Sequence, residues 1–304
     1  MQAQNSIVPE KDTQDPLPPL QPLSFTEILD GMFSLYRKHF RLFFMIATVY
    51  FAISYGFDVI RNWVSVTLAN EYLGSQDFLN MMNMVFVTLL GLFITGTLLY
   101  ATAHVFLGKN ISATAAVQQS LRRYLTLLGA FFIYGLVCGG LSLTIIGIPF
   151  GIYFLVRWSL YTQPILLEES SALISLRRSS ELVKGSWARV FGITLAIFLI
   201  YFIIYIILII SVSIIFFLIP GTDAFFDTAS TLETILFMIE PTPHVIGWGI
   251  YLFWSFITTS IEALAMPILS IGYTLLYFDM RIRKEAYDLE MQATTPVDQM
   301  QNLQ

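Results

Sequence analysis

The chain contains a single cysteine in 304 residues, Cys138, set within an apolar run. One cysteine excludes an intrachain disulfide and a cysteine-based metal centre. Charge is also scarce: 12% of the residues are Asp, Glu, Lys or Arg, about half the share of an average globular domain. The scarcity is uneven, and residues 190–219 carry no charged side chain at all. With 16 Lys and Arg against 21 Asp and Glu, the chain lacks the basic face that nucleic acid requires, so no nucleic-acid partner is expected. There is no Gly-rich phosphate loop and no Ser/His/Asp set, and His39, His104 and His244 share no helical spacing. Neither a metal nor a cofactor is expected. Residues 1–23, with prolines at 9, 16, 18, 19 and 22, have too few large apolar side chains for a core and are expected to be a disordered tail. They lack the basic and apolar regions of a cleavable signal peptide, so the first span is expected to act as its own insertion signal.

What the chain has in abundance is hydrophobic surface: 56% of its residues are apolar and its mean hydropathy is +0.70. A helix needs about 20 apolar residues to cross a bilayer. Six segments are expected to do so, at 42–57, 81–107, 125–145, 150–167, 190–219 and 245–278, the last interrupted by Glu262 and Pro267. The expected fold is all-α, a polytopic membrane helical bundle of about six transmembrane helices with amphipathic interfacial helices. It occupies residues 24–290 and is followed by a polar tail at 291–304.

The stretch 157–192 shows how surface and span are joined. Leu173, Leu176, Val183 and Trp187 recur at helical spacing while Arg177, Glu181 and Lys184 fall on another face, the pattern of a helix lying at a membrane surface. Ser170 or Ser171 can cap its start, and Gly185 lets the chain turn into the span that follows. Near the N-terminus, Ser24 and Glu27 have capping-box spacing, with Leu23 and Ile28 placed as a staple. The segments beginning at Ser24, Ser112 and Ser171 share one order: serine, amphipathic helix, basic cluster, apolar span. This is a faint threefold repeat. Gly135, Gly139, Gly140 and Gly147 are expected to allow close helix packing.

With six spans, the basic clusters, including Arg37, Lys38, Arg122, Arg123, Arg177, Arg178 and Lys184, all fall on one side, and only Arg61 falls on the other. The positive-inside rule then places both termini in the cytoplasm, the membrane being the cytoplasmic (inner) membrane. Those seven residues are candidate contacts for anionic phospholipid headgroups. Within the spans, ionisable side chains are few and each is a candidate for function. Arg157 in the fourth span and Glu262 in the sixth are expected to meet as an intramembrane ion pair, the structural role outweighing a substrate or proton site. The alternative partner for Arg157 is Glu168, eleven residues on. The acids at 223, 227, 233 and 240 belong to an expected outer loop, with a short amphipathic piece at 231–239.

Three segments carry a family resemblance: SFTEILDGMFSLYRKHF, RWSLYTQPILLEE with the following ALISLRRSSELVKGSWARVFGI, and PILSIGYTLLYFDMRIRKEAYDLE. Together they resemble the membrane domain attached to some glycerophosphoryl diester phosphodiesterases and found alone in many bacterial and archaeal membrane proteins. Arg157, Glu168, Arg178 and Gly185 belong to the matching motifs. In the fused enzymes catalysis lies in a separate soluble barrel with a metal-binding His and Glu set, which residues 1–304 do not contain, so the resemblance implies no enzyme activity here. The expected function is that of a non-catalytic module that contacts lipid or organises a protein partner or a second copy. The alternative is a transporter or exporter of a small or amphipathic substrate that uses the Arg157 and Glu262 pair.

Overall fold

In a computed structural model of the chain, residues 21–68, 75–217 and 247–285 are described. The expected acidic outer loop, its amphipathic piece, His244 and most of both tails lie outside those residues. The described residues form α1 (Phe25–Lys38), α2 (Phe40–Leu68), α3 (Ser75–Phe106), α4 (Ala113–Ser142), α5 (Gly147–Arg157), α6 (Thr162–Leu167), α7 (Ala172–Val183), α8 (Trp187–Phe217) and α9 (Trp248–Glu285). Among them there is no strand. Five of these described helices are long and apolar enough to cross a membrane. Large apolar side chains cover much of the exterior, including Leu125, Leu143 and Ile145, each more than 80% exposed. The molecule is an all-α bundle of membrane type and a multi-pass membrane protein.

α9 is its axis. At 38 residues it is about 57 Å long, well beyond the about 30 Å of a hydrocarbon core. It packs against α8, α2, α1 and α3. Glu262 and Pro267, expected to interrupt this segment, do not: the helix is continuous with Pro267 inside it. Proline removes the amide that would bond Ala263, and the Tyr36 hydroxyl donates to the neighbouring carbonyl of Leu264 at 2.9 Å.

α1 begins as its sequence dictates. The Ser24 side chain accepts from the Glu27 amide and the Glu27 carboxylate accepts from the Ser24 amide, with Ile28 fully buried. α1 then runs along α9 in the opposite direction. The Leu23 carbonyl lies by Arg283, Gly31 faces Leu275, and Met32 meets Gly272. A side chain at Gly272 would come within 3.0 Å of both Met32 and Ile197, so this glycine allows α1, α8 and α9 to approach closely. Gly135, Gly139 and Gly140 play no such part, because a Cβ at each would meet open space. Close contact comes instead at Gly147, against the Leu141 carbonyl.

The three repeat serines all prove to be N-caps: Ser24 for α1, Ser112 for α4 and Ser171 for α7. Their joints to the following span differ. α1 turns into α2 at His39, α4 runs on without a break, and α7 bends at Gly185, whose φ is +78°. The amphipathic segment that begins at Ser112 is therefore the first part of the same 30-residue helix as the span that follows it.

The fourth expected span is the main correction. Residues 150–167 are not one helix but α5, a turn and the six-residue α6. α5 has 11 residues and is about 16 Å long, too short to cross alone; α5, the turn and α6 together run back along α4, from Gly151 beside Ser142 to Glu169 beside Arg123, so the chain still returns to the side from which α4 starts. The cause is Pro164, which lacks an amide and whose ring would clash with the carbonyl of Leu160 in a continuous helix. α7 satisfies the broken backbone: the Ser179 hydroxyl donates to the Arg157 carbonyl at 2.9 Å and accepts from the Leu160 amide at 3.2 Å.

Candidate functional site

Polar side chains gather at three places along α9. Toward its start, Asp58 of α2 accepts from Tyr251 and Ser255 of α9 and pairs with Arg61 at 3.1 Å, while Asn80 of α3 accepts from Arg61 at 3.0 Å. Farther along, the Tyr50 hydroxyl donates to Glu262 at 2.7 Å.

The largest group is an ionic knot at the end of α9. Asp279, completely buried, binds Arg189 at 3.0 Å and Arg283 at 2.8 Å. Both arginines also donate to the Leu23 carbonyl, at 2.7 and 2.8 Å. Beside this set, Arg178 of α7 holds Glu285 at 2.6 Å and Glu168 at 3.2 Å. Tyr277 donates to Glu168 at 2.6 Å, and Arg281 reaches Glu285 at 3.2 Å. Partial burial opposes the charge on Arg178, but Glu168 and Glu285 outweigh it and hold its pKa above the ordinary arginine value. A buried charge requires this kind of pairing. The knot ties the start of α1, the α6–α7 turn, the start of α8 and the end of α9 to one end of the bundle, so Leu23 and Arg283, 260 residues apart in the chain, lie side by side.

These contacts redistribute the residues expected to act. Arg157 and Glu262 do not pair. Arg157 donates to the Tyr153 hydroxyl at 3.2 Å and lies 5.7 Å from the centre of that ring, while Glu262 binds Tyr50. The reason is the broken fourth segment: α5 packs on α4, α8 and α7 and ends at Arg157. The alternative partner, Glu168, is taken by Arg178 and Tyr277. Of the seven candidate headgroup contacts, Arg178 faces inward to the knot and Arg123 pairs with Glu169. Arg37, Lys38, Arg122 and Lys184 are exposed, and no ion pair engages their side chains among the described residues. Arg177 is 83% exposed and meets Glu181 through its Nε at 3.0 Å.

Sequence periodicity misplaced one face of α7. Leu176 and Val183 are buried, but Leu173 is 68% exposed, and Ser175 and Ser179 are wholly buried in its place. The outward turn of Leu173 helps form an open cleft of about 400 Å³ between α4, α5 and α7. Ile133, Phe154, Leu173 and Leu176 supply its apolar wall, and Arg157 and Arg177 stand at it with Trp158 and Ser180. Trp158 is fixed by its indole N–H donating to Ser180 at 2.9 Å. Sequence reasoning missed this site, although the four-residue spacing of Tyr153 and Arg157 on one helical face was a signal for the contact that parks the guanidinium. Among the described residues no three His, Cys, Asp or Glu side chains are grouped to hold a metal ion.

The fold and its exterior thus define the class, an all-α multi-pass membrane protein. No family model matches this chain, nor does any curated protein or any solved structure.

Proposed function

We propose that this protein is a non-catalytic membrane module that holds anionic lipid at the cytoplasmic face of a bacterial-type inner membrane, with both termini in the cytoplasm. The observation that carries this reading is the allocation of its basic residues. Arg178, Arg189, Arg281 and Arg283 are consumed by internal carboxylates, whereas Arg37, Lys38 and Arg122 stand exposed beside apolar helical surface with no carboxylate partner among the described residues. Each such side chain near an anionic bilayer is worth about 1 kcal/mol of attraction. The outer surface of α1, where Glu27, Asp30, Ser34, Arg37 and Lys38 are exposed alongside Phe25 and Phe33, is that of an interfacial helix and supports placing α1 and the knot as a helical cap on the cytoplasmic side. The length of α9 beyond a bilayer core supports the same placement. The resemblance to phosphodiesterase-associated membrane domains agrees with a role in the membrane separate from catalysis.

The test is the composition of the lipid that surrounds the protein after polymer extraction from vesicles of phosphatidylglycerol and phosphatidylcholine. Phosphatidylglycerol is expected to be enriched over the bulk by about twofold or more, and the combined R37Q, K38Q and R122Q variant to lie closer to the bulk ratio. A ratio equal to the bulk in the unaltered protein would overturn the reading, as would hydrolysis of a glycerophosphodiester by the purified chain.

A further inference from the structure

We infer that the cleft between α4, α5 and α7 is a specific site for one anionic phospholipid. The phosphate would lie between Arg157 and Arg177 and an acyl chain along the apolar wall. This deepens the proposed function and rests on it, but it assigns a single built site where that reading needs only a diffuse basic rim.

Four observations converge on this occupant. The first is charge. Arg157 is held by a neutral partner, the Tyr153 hydroxyl, so its charge is not cancelled. Arg177 meets Glu181 through Nε, which leaves its two terminal nitrogens for an incoming oxyanion. Planar guanidinium groups suit phosphate oxygens, which accept two parallel N–H bonds from one fork. The second is shape: at about 400 Å³ the cleft falls within the roughly 300–1,000 Å³ of ordinary ligand sites.

The third is amphipathic zoning. On one side of the cleft, the α4–α5 hairpin presents a continuous apolar exterior, with Phe132 70%, Leu136 65% and Leu155 44% exposed. On the other, α7 presents Arg177, Glu181 and Lys184 to solvent. A free phosphate or a soluble anion would have no use for the apolar half, and an uncharged lipid would have none for the arginines. The fourth is rigidity. Trp158, an amphipathic ring of the kind found at headgroup depth, is fixed by Ser180, and the Arg157 backbone is pinned by Ser179. Arg157 therefore stands on a pinned backbone and Arg177 on the helix that pins it, which lowers the ordering cost of binding.

The experiment is native mass spectrometry of the full chain in mild detergent, titrated with phosphatidylglycerol or phosphatidylcholine and compared with three variants. R157Q combined with R177Q removes the charge. Leu173→Trp keeps both arginines and overhangs the cleft, which covers the case in which the double variant fails to fold. R37Q combined with K38Q and R122Q alters only the rim. The unaltered protein is expected to retain one phosphatidylglycerol after the others dissociate. Both cleft variants should weaken that binding about tenfold or more, while the rim variant keeps it. The cleft assignment falls if the single lipid persists in the folded cleft variants, if only the rim variant loses it, or if millimolar inorganic phosphate displaces it. No preference for phosphatidylglycerol in the unaltered chain sinks this assignment and the broader reading together.

Discussion

Arg177 and Arg178 are adjacent on α7, yet they belong to two regions with opposite logic. Arg178 enters the ionic knot, where Glu168 and Glu285 hold it at 28% exposure. Arg177 turns 100° around the helix to 83% exposure at the cleft. In the knot every arginine has a carboxylate within 3.2 Å, four arginines sharing three carboxylates, so the region holds helices together and offers little to an outside ligand. At the cleft the positive charges are undermatched and lie against apolar wall, so the region is stable without a ligand but complementary to one. One turn of one helix thus separates architecture from recognition.

Four predictions sharpen that comparison, from the largest effect to the smallest. Asp279→Ala leaves Arg189 and Arg283 without their buried counter-ion and loosens the Leu23 anchor. Breaking a buried pair costs about 3–5 kcal/mol, and because both arginines are about one-third exposed the loss should lie near the lower figure, measured as denaturant stability in detergent. Arg178→Gln should destabilise by about 2 kcal/mol, the range for charged hydrogen bonds lost from a part-buried network, whereas Arg177→Gln should stay within about 0.5 kcal/mol. Gly272→Ala presses a methyl group on Met32 and Ile197 and should cost about 1–2 kcal/mol. All of these contacts are with side-chain atoms rather than backbone, so the helices should stay in register, checked by a cysteine cross-link between α1 and α9.

The smallest effect is one of pH. Backbone and side-chain hydrogen bonds from Ser24 hold the Glu27 pKa below its ordinary value. A depressed carboxylate pKa gives stability that is complete above the unfolded value and is lost as pH falls through the folded one. The start of α1 should therefore loosen only at pH below the usual carboxylate range, read as faster amide exchange at residues 25–28, and Glu27→Gln should flatten that response.

Much of this architecture is legible in the sequence. Composition and run length yield an all-α membrane bundle, and the capping box at Ser24, the three N-cap serines and the bend at Gly185 can be read directly. What misleads is the weight given to proline within apolar runs, overlooked at 164 and overstated at 267. Pro164 breaks one such run, and Pro267 leaves another whole because α9 is surrounded by α1, α2, α3 and α8. The failure of the Arg157 and Glu262 pair follows from the break at Pro164, since similar depth was inferred from a fourth segment that crosses as one helix. The knot was partly visible in the four-residue spacings of Asp279 with Arg283 and Arg281 with Glu285. Its long-range partners, Leu23, Glu168 and Arg189, come from three other parts of the chain, and no local pattern announces them. The cleft was hidden for a further reason: Leu173 looks like a core residue by its spacing, and only the neighbouring serines of α7, turned inward to bond α5 and the turn after it, push it out.

The measurement that tests the account most directly sets Arg177→Gln beside Arg178→Gln in the full-length protein, recording melting temperature and retained phosphatidylglycerol on the same samples. The account predicts a crossed result. Arg178→Gln should lower the melting temperature and, while folded, still retain the lipid; Arg177→Gln should melt like the unaltered protein and release it. Parallel effects from the two variants, or the crossed pattern reversed, would contradict the division of α7 into a structural and a recognition face.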